Sequence, residues 1–271
     1  MRIRLACIAS HYTSLPYNTN RSIAAWIYRQ LESASPEFAA FLHDRGYTGP
    51  DGKARKLFTF SRLMFTPKPQ FKKTHIMVKR DSRIELVIAT PLFEEFVQHL
   101  VMGLFENHSL CLTDMHNRMV EFPISLVTRV PEPHFTSRMH FRSLSPLVLK
   151  TTVDQDDGLG TYYYRVLDVG LSESIRKSLS NKFKTIHQRA PIDDSLEFLP
   201  DSNYIDRKGG PEKVSTLITI RQVQGQPINV KGFTCPFVLS GSTELIETAW
   251  HAGIGDYTAM GFGCVEEIKI P

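Results

Sequence analysis

Cysteine is scarce in this 271-residue chain, and the four positions that it occupies exclude two common ways of holding a fold together. Cys7, Cys111, Cys235 and Cys264 lie far apart, and no two of them form a CxxC pair. Disulfide frameworks are typical of small cysteine-rich secreted domains, and structural zinc sites are usually built from closely spaced pairs. We therefore expect neither, and the pattern fits the reducing conditions of the cytoplasm.

The chain also lacks an apolar run that is long enough for a bilayer. The most apolar region, residues 84–105, contains Glu85, Glu94 and Glu95, which are too costly for a membrane-spanning segment. The opening residues, MRIRLACIAS, have too few apolar positions for a signal peptide and are typical of a first strand. We expect a cytoplasmic protein without a membrane partner.

Metal-ligand spacing is missing as well. Of the ten histidines, His108 and His116 flank Asp114, but no third ligand follows at a suitable interval. We therefore predict no metal ion and no cofactor.

Acidic residues are nearly absent from residues 53–83, where ten lysines and arginines stand against Asp81 alone. Such a cluster suits a polyanion, because each phosphate that it neutralises releases counterions. A solvated loop of a basic protein, whose net charge is +4, explains the cluster equally well on charge alone.

Hydrophobic periodicity predicts that each half of the chain follows the order β-α-β-β-α-β. The fold class that we predict is α+β, with two tandem ferredoxin-like (RRM-like) domains, residues 1–128 and 129–271, built on antiparallel sheets. The predicted strands are residues 3–8, 57–65, 74–78, 84–89, 109–112, 120–122, 139–149, 214–223, 228–239 and 262–270. The predicted helices carry residues 23–31, 36–43, 91–104, 172–188 and 242–251. Residues 151–160 and 202–210 are expected to be loops, and residues 224–227 a turn.

Four of the sixteen glycines fall within eleven residues near the C-terminus, at Gly253, Gly255, Gly261 and Gly263. Glycine admits positive φ angles and lets a ligand approach the backbone closely. A Walker loop or a dinucleotide fingerprint does not fit, because a helix precedes the glycines, a strand follows them and no lysine lies among them. Two GxG pairs favour a docking surface, for an RNA backbone or for the neighbouring domain, over a simple helix-to-strand turn.

Five segments, taken in order, resemble the CRISPR-associated repeat-processing endoribonucleases of the repeat-associated RNA-binding superfamily. They are LPYN (residues 15–18), FLHD (41–44), KLFTFS (56–61), FRSLSPLVL (141–149) and GIGDYTAMGFG (253–263). Together they span almost the whole chain, and the glycine-rich segment is the most diagnostic of them.

The resemblance implies a protein that binds CRISPR repeat RNA in the precursor crRNA and cuts it once per repeat without a metal. The products would carry a 2′,3′-cyclic phosphate and a 5′-hydroxyl. The resemblance also implies that His43 is the catalytic histidine, Tyr28 the active-site tyrosine and Lys56 the active-site lysine. Two further partners stay open, namely an interference ribonucleoprotein complex and a second copy in a homodimer.

These residue types suit the chemistry, in which a 2′-hydroxyl attacks the adjacent phosphorus in line with the departing 5′-oxygen. We assign His43 as general base, Lys56 as electrostatic stabiliser and Tyr28 as positioning residue or proton donor. Pattern alone also fits simpler roles, with Tyr28 as a core residue on an apolar helix stripe and His43 as a helix C-terminal cap. Lys53 and Arg55 compete with Lys56 for the scissile phosphate.

Further RNA contacts are expected from the basic stretches and the glycine-rich segment. The residues are Lys53, Arg55, Lys68, Lys72, Lys73, Arg138, Arg142, Gly253, Gly255, Gly261 and Gly263. The helix predicted at residues 172–188 offers a second basic face that includes Lys177 and Lys182. An RRM-type aromatic signature is absent, so bases are not expected to stack on a sheet.

Two other classes of function stay open from the sequence. A non-catalytic repeat-RNA-binding subunit of a CRISPR ribonucleoprotein would bind the repeat without cutting it. A nucleotide-binding α+β enzyme would have no affinity for RNA, and no salt-dependent RNA binding.

Overall fold

The computed structural model describes residues 1–155, 158–223 and 226–269, and its strands form two principal antiparallel sheets with helices packed against them. The larger sheet belongs to the N-terminal half and the smaller sheet to the C-terminal half. Within these ranges, no helix has the length and apolar character that a membrane crossing requires.

The N-terminal half has its helices after the first and third principal strands. Its strands are β1 (Arg2–Ile8), β2 (Thr13–Pro16), β3 (Tyr47–Thr48), β4 (Ala54–Arg55), β5 (Thr59–Phe60), β6 (Met64–Thr66), β7 (Gln70–Phe71), β8 (His75–Val78), β9 (Arg83–Ala89), β10 (Ser109–Thr113) and β11 (Met119–Arg129). Its helices are α1 (Asn20–Ala34), α2 (Pro36–Ala40) and α3 (Gln98–Glu106), with π-helical turns at Phe41–Arg45 and Phe93–Val97. The sheet order β10-β11-β1-β9-β5, in which β6 also pairs with β9, is ferredoxin-like with β10 added at one edge.

Helix α1 forms where apolar residues recur at helical spacing. Its fully buried apolar side chains are Ile23, Trp26, Ile27 and Leu31. The spacing of three or four residues places all of them on the face that packs into the core. At the N-terminus, the Asn20 N–H donates to Asn18 Oδ1 at 3.1 Å, so the helix begins within the predicted segment.

The C-terminal half repeats this arrangement. Its strands are β12 (Arg138–Ser143), β13 (Lys150–Gln155), β14 (Gly158–Tyr163), β15 (Leu196–Pro200), β16 (Ser215–Val223), β17 (Gln226–Phe233), β18 (Pro236–Gly241) and β19 (Val265–Glu267). Its helices are α4 (Leu171–His187), α5 (Ser202–Lys208), α6 (Pro211–Val214) and α7 (Thr243–Ala252), with a 3₁₀ turn at Thr258–Met260. The sheet order β15-β18-β12-β19 is again ferredoxin-like, and the hairpins β13–β14 and β16–β17 stand outside it. The predicted fold class is confirmed.

Each half has its own hydrophobic core. One cluster of buried side chains is drawn from residues 3–122 and a second from residues 139–265. A smaller cluster, where the two hairpins meet the glycine-rich segment, joins Val148, Ile218, Val230 and Phe262. The limits 1–128 and 129–271 stay a prediction.

A buried arginine ties the two halves together. The guanidinium group of Arg2 in β1 donates to the main-chain oxygens of Trp250 and Val265, both at 2.5 Å. The same group lies over the Trp250 ring, 3.5 Å from its centroid. Burial lowers the pKa of Arg2, and the carbonyls and the ring provide the polar surroundings that a buried cation needs.

Two predicted loops are wrong because regular structure forms there. Residues 151–155 and 158–160 belong to the hairpin β13–β14, in which Thr151 pairs with Tyr162. Residues 202–208 form α5, because the Asp201 side chain accepts a hydrogen bond from the Tyr204 N–H at 2.9 Å and caps the helix.

Four predicted strands are too long, the last of them at residues 262–270, and β15 was not predicted. The strand at residues 228–239 is divided between β17 and β18, because β17 pairs with β16 in a separate hairpin whereas β18 pairs with β12 and β15. The strand at 139–149 ends at Ser143. The strand at 57–65 is interrupted because Ser61 Oγ, in place of a main-chain carbonyl, accepts from the Val87 N–H at 2.9 Å.

The end of the chain shows a shorter strand than predicted. Of the predicted strand at residues 262–270, Val265–Glu267 is a strand. Residue 270, and residues 224–225 of the predicted turn, lie outside the described residues.

A candidate active-site cleft between the two domains

A cleft of about 820 Å³ opens between the two halves of the molecule, and all three predicted catalytic side chains line it. The N-terminal half contributes α1, the turn at 41–45 and the segment before β5. The C-terminal half contributes β13, α4 and the segment that follows Gly255. Its basic lining residues are His43, Lys53, Arg55, Lys56, Lys150, Lys177 and Lys182. Its acidic lining residues are Asp51, Glu173 and Asp256, so the cleft is predominantly basic.

His43 reaches the cleft because helix α2 changes into a π-helical turn. Ser35 Oγ caps α2 by accepting from the Phe38 N–H at 3.3 Å, and the turn at Phe41–Arg45 follows. Leu42 is buried, while the side chain of His43 is 70% exposed. The turn therefore anchors itself in the core and presents the imidazole to solvent.

The imidazole of His43 has a carboxylate partner on the next residue. Nδ1 of His43 lies 2.8 Å from Asp44 Oδ1. Because an ionised carboxylate only accepts hydrogen bonds, the proton of a neutral His43 ring is on Nδ1, and Nε2 carries the free lone pair. The geometry suits a general base that acts through Nε2. The sequence contains Asp44 within FLHD, but its orienting contact was not predicted.

Tyr28 lies against His43 at the edge of the apolar face of α1. The two ring centroids are 5.4 Å apart with an interplanar angle of 81°, and Phe58 contacts Tyr28 on another side at 5.9 Å. Burial raises the pKa of Tyr28 to about 12. The phenol therefore stays protonated near neutral pH, which suits a hydrogen-bond or proton donor and not a base.

Lys56 lies closer to His43 than its two competitors do. Its Nζ donates to the main-chain oxygen of His43 at 2.5 Å, and burial lowers its pKa. Arg55 instead binds Asp51 through both terminal nitrogens, at 2.8 and 2.6 Å, which lowers the pKa of Asp51. Lys53 is exposed. Of the three cations, Lys56 has the position that suits the charge at the scissile phosphate.

The C-terminal half contributes cleft residues that were not predicted individually. Lys150 Nζ donates to the Tyr257 hydroxyl at 3.0 Å and lies 4.8 Å from the centre of its ring. Tyr257 has a φ of +56°, in the left-handed region that is costly for a non-glycine residue. Burial and a hydrogen bond with Tyr257 raise the pKa of Tyr163 to about 12. In the sequence, the glycine-rich surroundings of Tyr257 were the available signal for this residue.

Lys182 is not part of a basic surface, which corrects its place in the second basic face predicted on α4. It is 6% exposed, and its Nζ donates to the main-chain oxygens of Gly253 at 2.7 Å and Gly255 at 2.9 Å. Burial lowers its pKa to about 7. Lys182 thus fixes the glycine-rich segment through hydrogen bonds to its main chain, whereas Lys177 on the same helix is exposed.

The four predicted glycines are buried where the two halves meet. They are Gly253, Gly255, Gly261 and Gly263, with φ between +73° and +82°. A Cβ on Gly255 would lie 2.2 Å from the Val148 oxygen, and one on Gly261 would lie 2.4 Å from the Phe60 ring. We call this region the domain seam: residues 253–263 packed on Asn20, Thr59 and Phe60.

The contacts of the domain seam describe docking to the neighbouring domain, one of the two predicted alternatives. Thr59 Oγ1 donates to the Phe262 oxygen at 2.8 Å. Asn20 Nδ2 donates to the oxygens of Met260 at 2.8 Å and Gly261 at 3.0 Å. Contact of these glycines with RNA stays a prediction.

The other predicted RNA contacts lie outside the cleft lining. Arg138 and Arg142 are exposed on β12, and Arg142 binds Glu266 at 2.5 and 2.9 Å. Lys68, Lys72 and Lys73 are exposed around β7. The structure therefore brings Lys53 and Arg55 together with the three predicted catalytic residues. The arginines of β12 and the lysines around β7 lie apart from that group.

Metal ligands do not cluster in the described ranges 1–155, 158–223 and 226–269. No group of three or more His, Cys, Asp or Glu side chains there is arranged to hold a metal ion.

Two ferredoxin-like domains, joined at a glycine-rich seam and separated by a basic cleft, define the class of the protein as a tandem ferredoxin-like α+β protein. Family models place it more narrowly. Residues 130–267 match the model described as CRISPR associated protein Cas6, C-terminal, and residues 14–122 match CRISPR-associated protein Cas6, N-terminal. The chain belongs to the Cas6 family of CRISPR-associated proteins.

Individual relatives agree with this membership. CRISPR-associated endoribonuclease Cas6 1 of Methanocaldococcus jannaschii is 27% identical over 269 residues, which cover 99% of this chain and 93% of the relative. A solved structure described as CRISPR associated protein Cas6 has a TM-score of 0.73 at 26% identity, with 99% of each chain covered. The product of a Cas6-related gene from Pyrococcus furiosus shares the fold, with a TM-score of 0.80 at 18% identity over 99% of this chain and 98% of that one.

Proposed function

We propose that this chain is an endoribonuclease that binds CRISPR repeat RNA and cuts the precursor transcript once per repeat. Membership in the Cas6 family and the curated relative named an endoribonuclease support this activity. The observation that carries the proposal is the arrangement of His43, which is open to the cleft, oriented by Asp44 and flanked by Tyr28 and Lys56.

The proposed reaction is an internal transesterification that needs no water and no metal ion. The 2′-hydroxyl attacks the adjacent phosphorus while Nε2 of His43 takes its proton, and the bond to the 5′-oxygen breaks. The upstream fragment then carries a 2′,3′-cyclic phosphate, and the downstream fragment carries a 5′-hydroxyl. Acid–base assistance of this kind contributes about 10²–10⁴-fold to the rate.

The other two side chains have complementary parts in this proposal. The ammonium group of Lys56 exchanges its His43 carbonyl for a phosphoryl oxygen and stabilises the charge that develops there. The Tyr28 phenol, which stays protonated, donates to the departing 5′-oxygen. An in-line reaction places attacking and leaving oxygens on opposite sides of the phosphorus, so one phosphate can contact a base and a separate donor.

The wider RNA path includes the basic residues outside the cleft. Lys53 and the predicted residues around β7 and on β12 would contact phosphates, each of which adds to the salt dependence of binding. Delivery of the product to an interference ribonucleoprotein complex, a homodimer and a cytoplasmic location, which the cysteine pattern favours, are part of the same proposal.

Cleavage of labelled repeat RNA in excess chelator tests the function. We expect one cut per repeat and no stimulation by divalent ions. Phosphatase should remove the terminal phosphate of the upstream fragment only after acid has opened the cyclic phosphate. Binding without cutting would identify the alternative, a non-catalytic subunit. Cleavage that chelator abolishes and a divalent ion restores would refute the metal-independent mechanism.

A further inference from the structure

Two aromatic rings stack on each other at the surface, outside the cleft. The rings of Tyr17 and Phe71 are nearly parallel, at 9°, with their centroids 6.2 Å apart. Tyr17 is 51% exposed and Phe71 is 59% exposed. Among the residues that the structure describes, the hydrophobic core of the N-terminal domain includes neither ring. Burial of a side chain of this size would stabilise the fold substantially, and the exposed pair lacks that stabilisation.

The pair is held in a defined geometry by a small sheet. Strands β2, β8 and β7 form this sheet with β8 in the middle, Tyr17 follows the last residue of β2, and Phe71 ends β7. The Tyr17 hydroxyl donates to the main-chain oxygen of Lys72. Because both rings are fixed through the backbone, a ligand that stacks on them loses little of its binding energy to ordering the protein.

The surroundings of the pair are cationic. Lys68 Nζ lies 5.6 Å from the centre of the Phe71 ring, and Lys72 and Lys73 are exposed beside it. Asp81 is the one acid in residues 53–83 of the sequence, and it pairs with Arg80 at 3.7 Å. Aromatic faces combined with exposed cations recognise a ligand that has both a flat ring and an anionic backbone, which is the chemistry of single-stranded nucleic acid.

We propose that Tyr17 and Phe71 form a stacking site for an unpaired base of the RNA, with Lys68, Lys72 and Lys73 at the adjoining phosphates. This inference rests on the proposed function and adds a second binding site to it. The sequence predicts that these lysines bind RNA, but it does not predict a base that stacks on a sheet.

The site lies close enough to the cleft for one RNA strand to contact both. Asn20, three residues after Tyr17, bonds to the oxygen of Met260, which lines the cleft. Three residues of extended chain span at most about 11 Å. Between them, Asn18 Nδ2 donates to the Thr219 oxygen of β16 at 2.7 Å and fixes this path. One RNA strand is therefore long enough to contact both the cleft and the aromatic pair.

The test compares RNA affinity among surface variants in the His43→Ala background, which is expected to leave the RNA uncut. The probes are a fluorescent ten-nucleotide oligoadenylate and the repeat RNA, and the variants are Phe71→Ala, Phe71→Trp and a control, Phe105→Ala. Phe105 is an exposed aromatic residue on α3, at 73% exposure, and it is not part of the pair. We expect Phe71→Ala to weaken both affinities about tenfold, while Phe71→Trp and Phe105→Ala stay near the parent value.

Two further measurements separate stacking from charge. The salt dependence of binding should be unchanged in Phe71→Ala, and its slope should fall in a Lys72→Ala, Lys73→Ala double variant, by about 0.7 for each phosphate that the protein no longer neutralises. Repeat RNA that contains 5-iodouridine should photocrosslink to Tyr17 or Phe71 at one position.

The failures of the two proposals are distinguishable. The stacking site is wrong and the proposed function stands if two results occur together: the wild-type protein cuts repeat RNA, and Phe71→Ala in the His43→Ala background binds both probes as tightly as His43→Ala alone. If the wild-type protein neither binds nor cuts repeat RNA, both proposals are wrong. Equal weakening by Phe105→Ala would also overturn the site, because the effect would not be specific to the pair.

Discussion

The domain seam and the cleft lie on the same boundary between the two halves, yet they treat polar groups in opposite ways. In the seam, Thr59 and Asn20 donate to main-chain oxygens, and Lys182 on α4 donates to the oxygens of seam glycines. In the cleft, His43 is open to solvent and bonds through one ring nitrogen to its exposed neighbour Asp44. The seam has the properties of a protein core, and the cleft has those of a reaction site.

The difference follows from what each region requires. A buried polar group without a partner costs about 1–3 kcal/mol, so a stable seam pairs its polar groups. A general base must keep a lone pair free for the substrate, so part of its hydrogen-bonding capacity stays unused. Substitutions in the seam should therefore change stability, and substitutions in the cleft should change the rate of cleavage.

The largest effect on stability is expected for Gly255→Ala. Its φ of +82° and a Cβ only 2.2 Å from the Val148 oxygen would force the backbone to move. We expect a loss of roughly 3 kcal/mol or more in the free energy of unfolding, measured by urea denaturation. Gly52→Ala is the matched control, because Gly52 has φ +72° but a Cβ there would have no atom of the described residues within 4 Å apart from those of its chain neighbours, and it should cost about 1–2 kcal/mol. Equal losses would show that the seam is not tightly packed.

Lys56→Met should give the largest loss of rate among the cleft cations. Because Lys56 Nζ is next to His43, its removal should slow single-turnover cleavage about 10²-fold with little change in the thermal midpoint. Lys53→Met is the control and should change the rate less than about threefold, since a surface cation contributes mainly to binding. The reverse ranking would assign the scissile phosphate to Lys53.

Lys182 predicts a pH dependence of stability. Its pKa is about 7 in the folded protein and near 10.5 when unfolded, so between these values the unfolded state binds more protons. The free energy of unfolding contributed by this residue therefore rises as the pH increases from 7 toward 10.5. The difference between wild type and Lys182→Met should grow in favour of wild type from about pH 7 to about pH 9. A flat response for Lys182 would contradict its burial.

The smallest effect is expected for Asp44, because its contact with His43 is exposed. Asp44→Ala should reduce the rate about fivefold, equivalent to one net hydrogen bond of ~1 kcal/mol. Asp44→Asn should retain part of the rate, since an amide oxygen still accepts from Nδ1. A complete loss of cleavage in Asp44→Ala, without unfolding, would give the carboxylate a larger role than orientation.

The fold class was predictable from the sequence because long periodic segments dominate it, as in α1 with its buried Ile23 and Trp26. Local boundaries were harder. The strands at residues 150–155 and 158–163 have polar and glycine residues that are typical of loops, and only their pairing with each other makes them regular. The division between β17 and β18 depends on the different strands with which they pair, which periodicity does not register.

The site was partly predictable for a similar reason. His43, Tyr28 and Lys56 come from three separate segments, and family resemblance joined them before any geometry was known. Lys182 looks like its exposed neighbour Lys177 in sequence, and only tertiary contacts reveal that one is buried under Gly253. The aromatic pair was also hidden, because Tyr17 and Phe71 are 54 positions apart.

Single-turnover cleavage by His43→Ala, measured beside binding affinity and thermal midpoint, tests the central claim most directly. His116→Ala is the control, since His116 is exposed and does not line the cleft. We predict that His43→Ala binds repeat RNA and melts as wild type does but cuts it at least about 10²-fold more slowly, while His116→Ala cuts normally. Cleavage by His43→Ala at the wild-type rate would contradict the account.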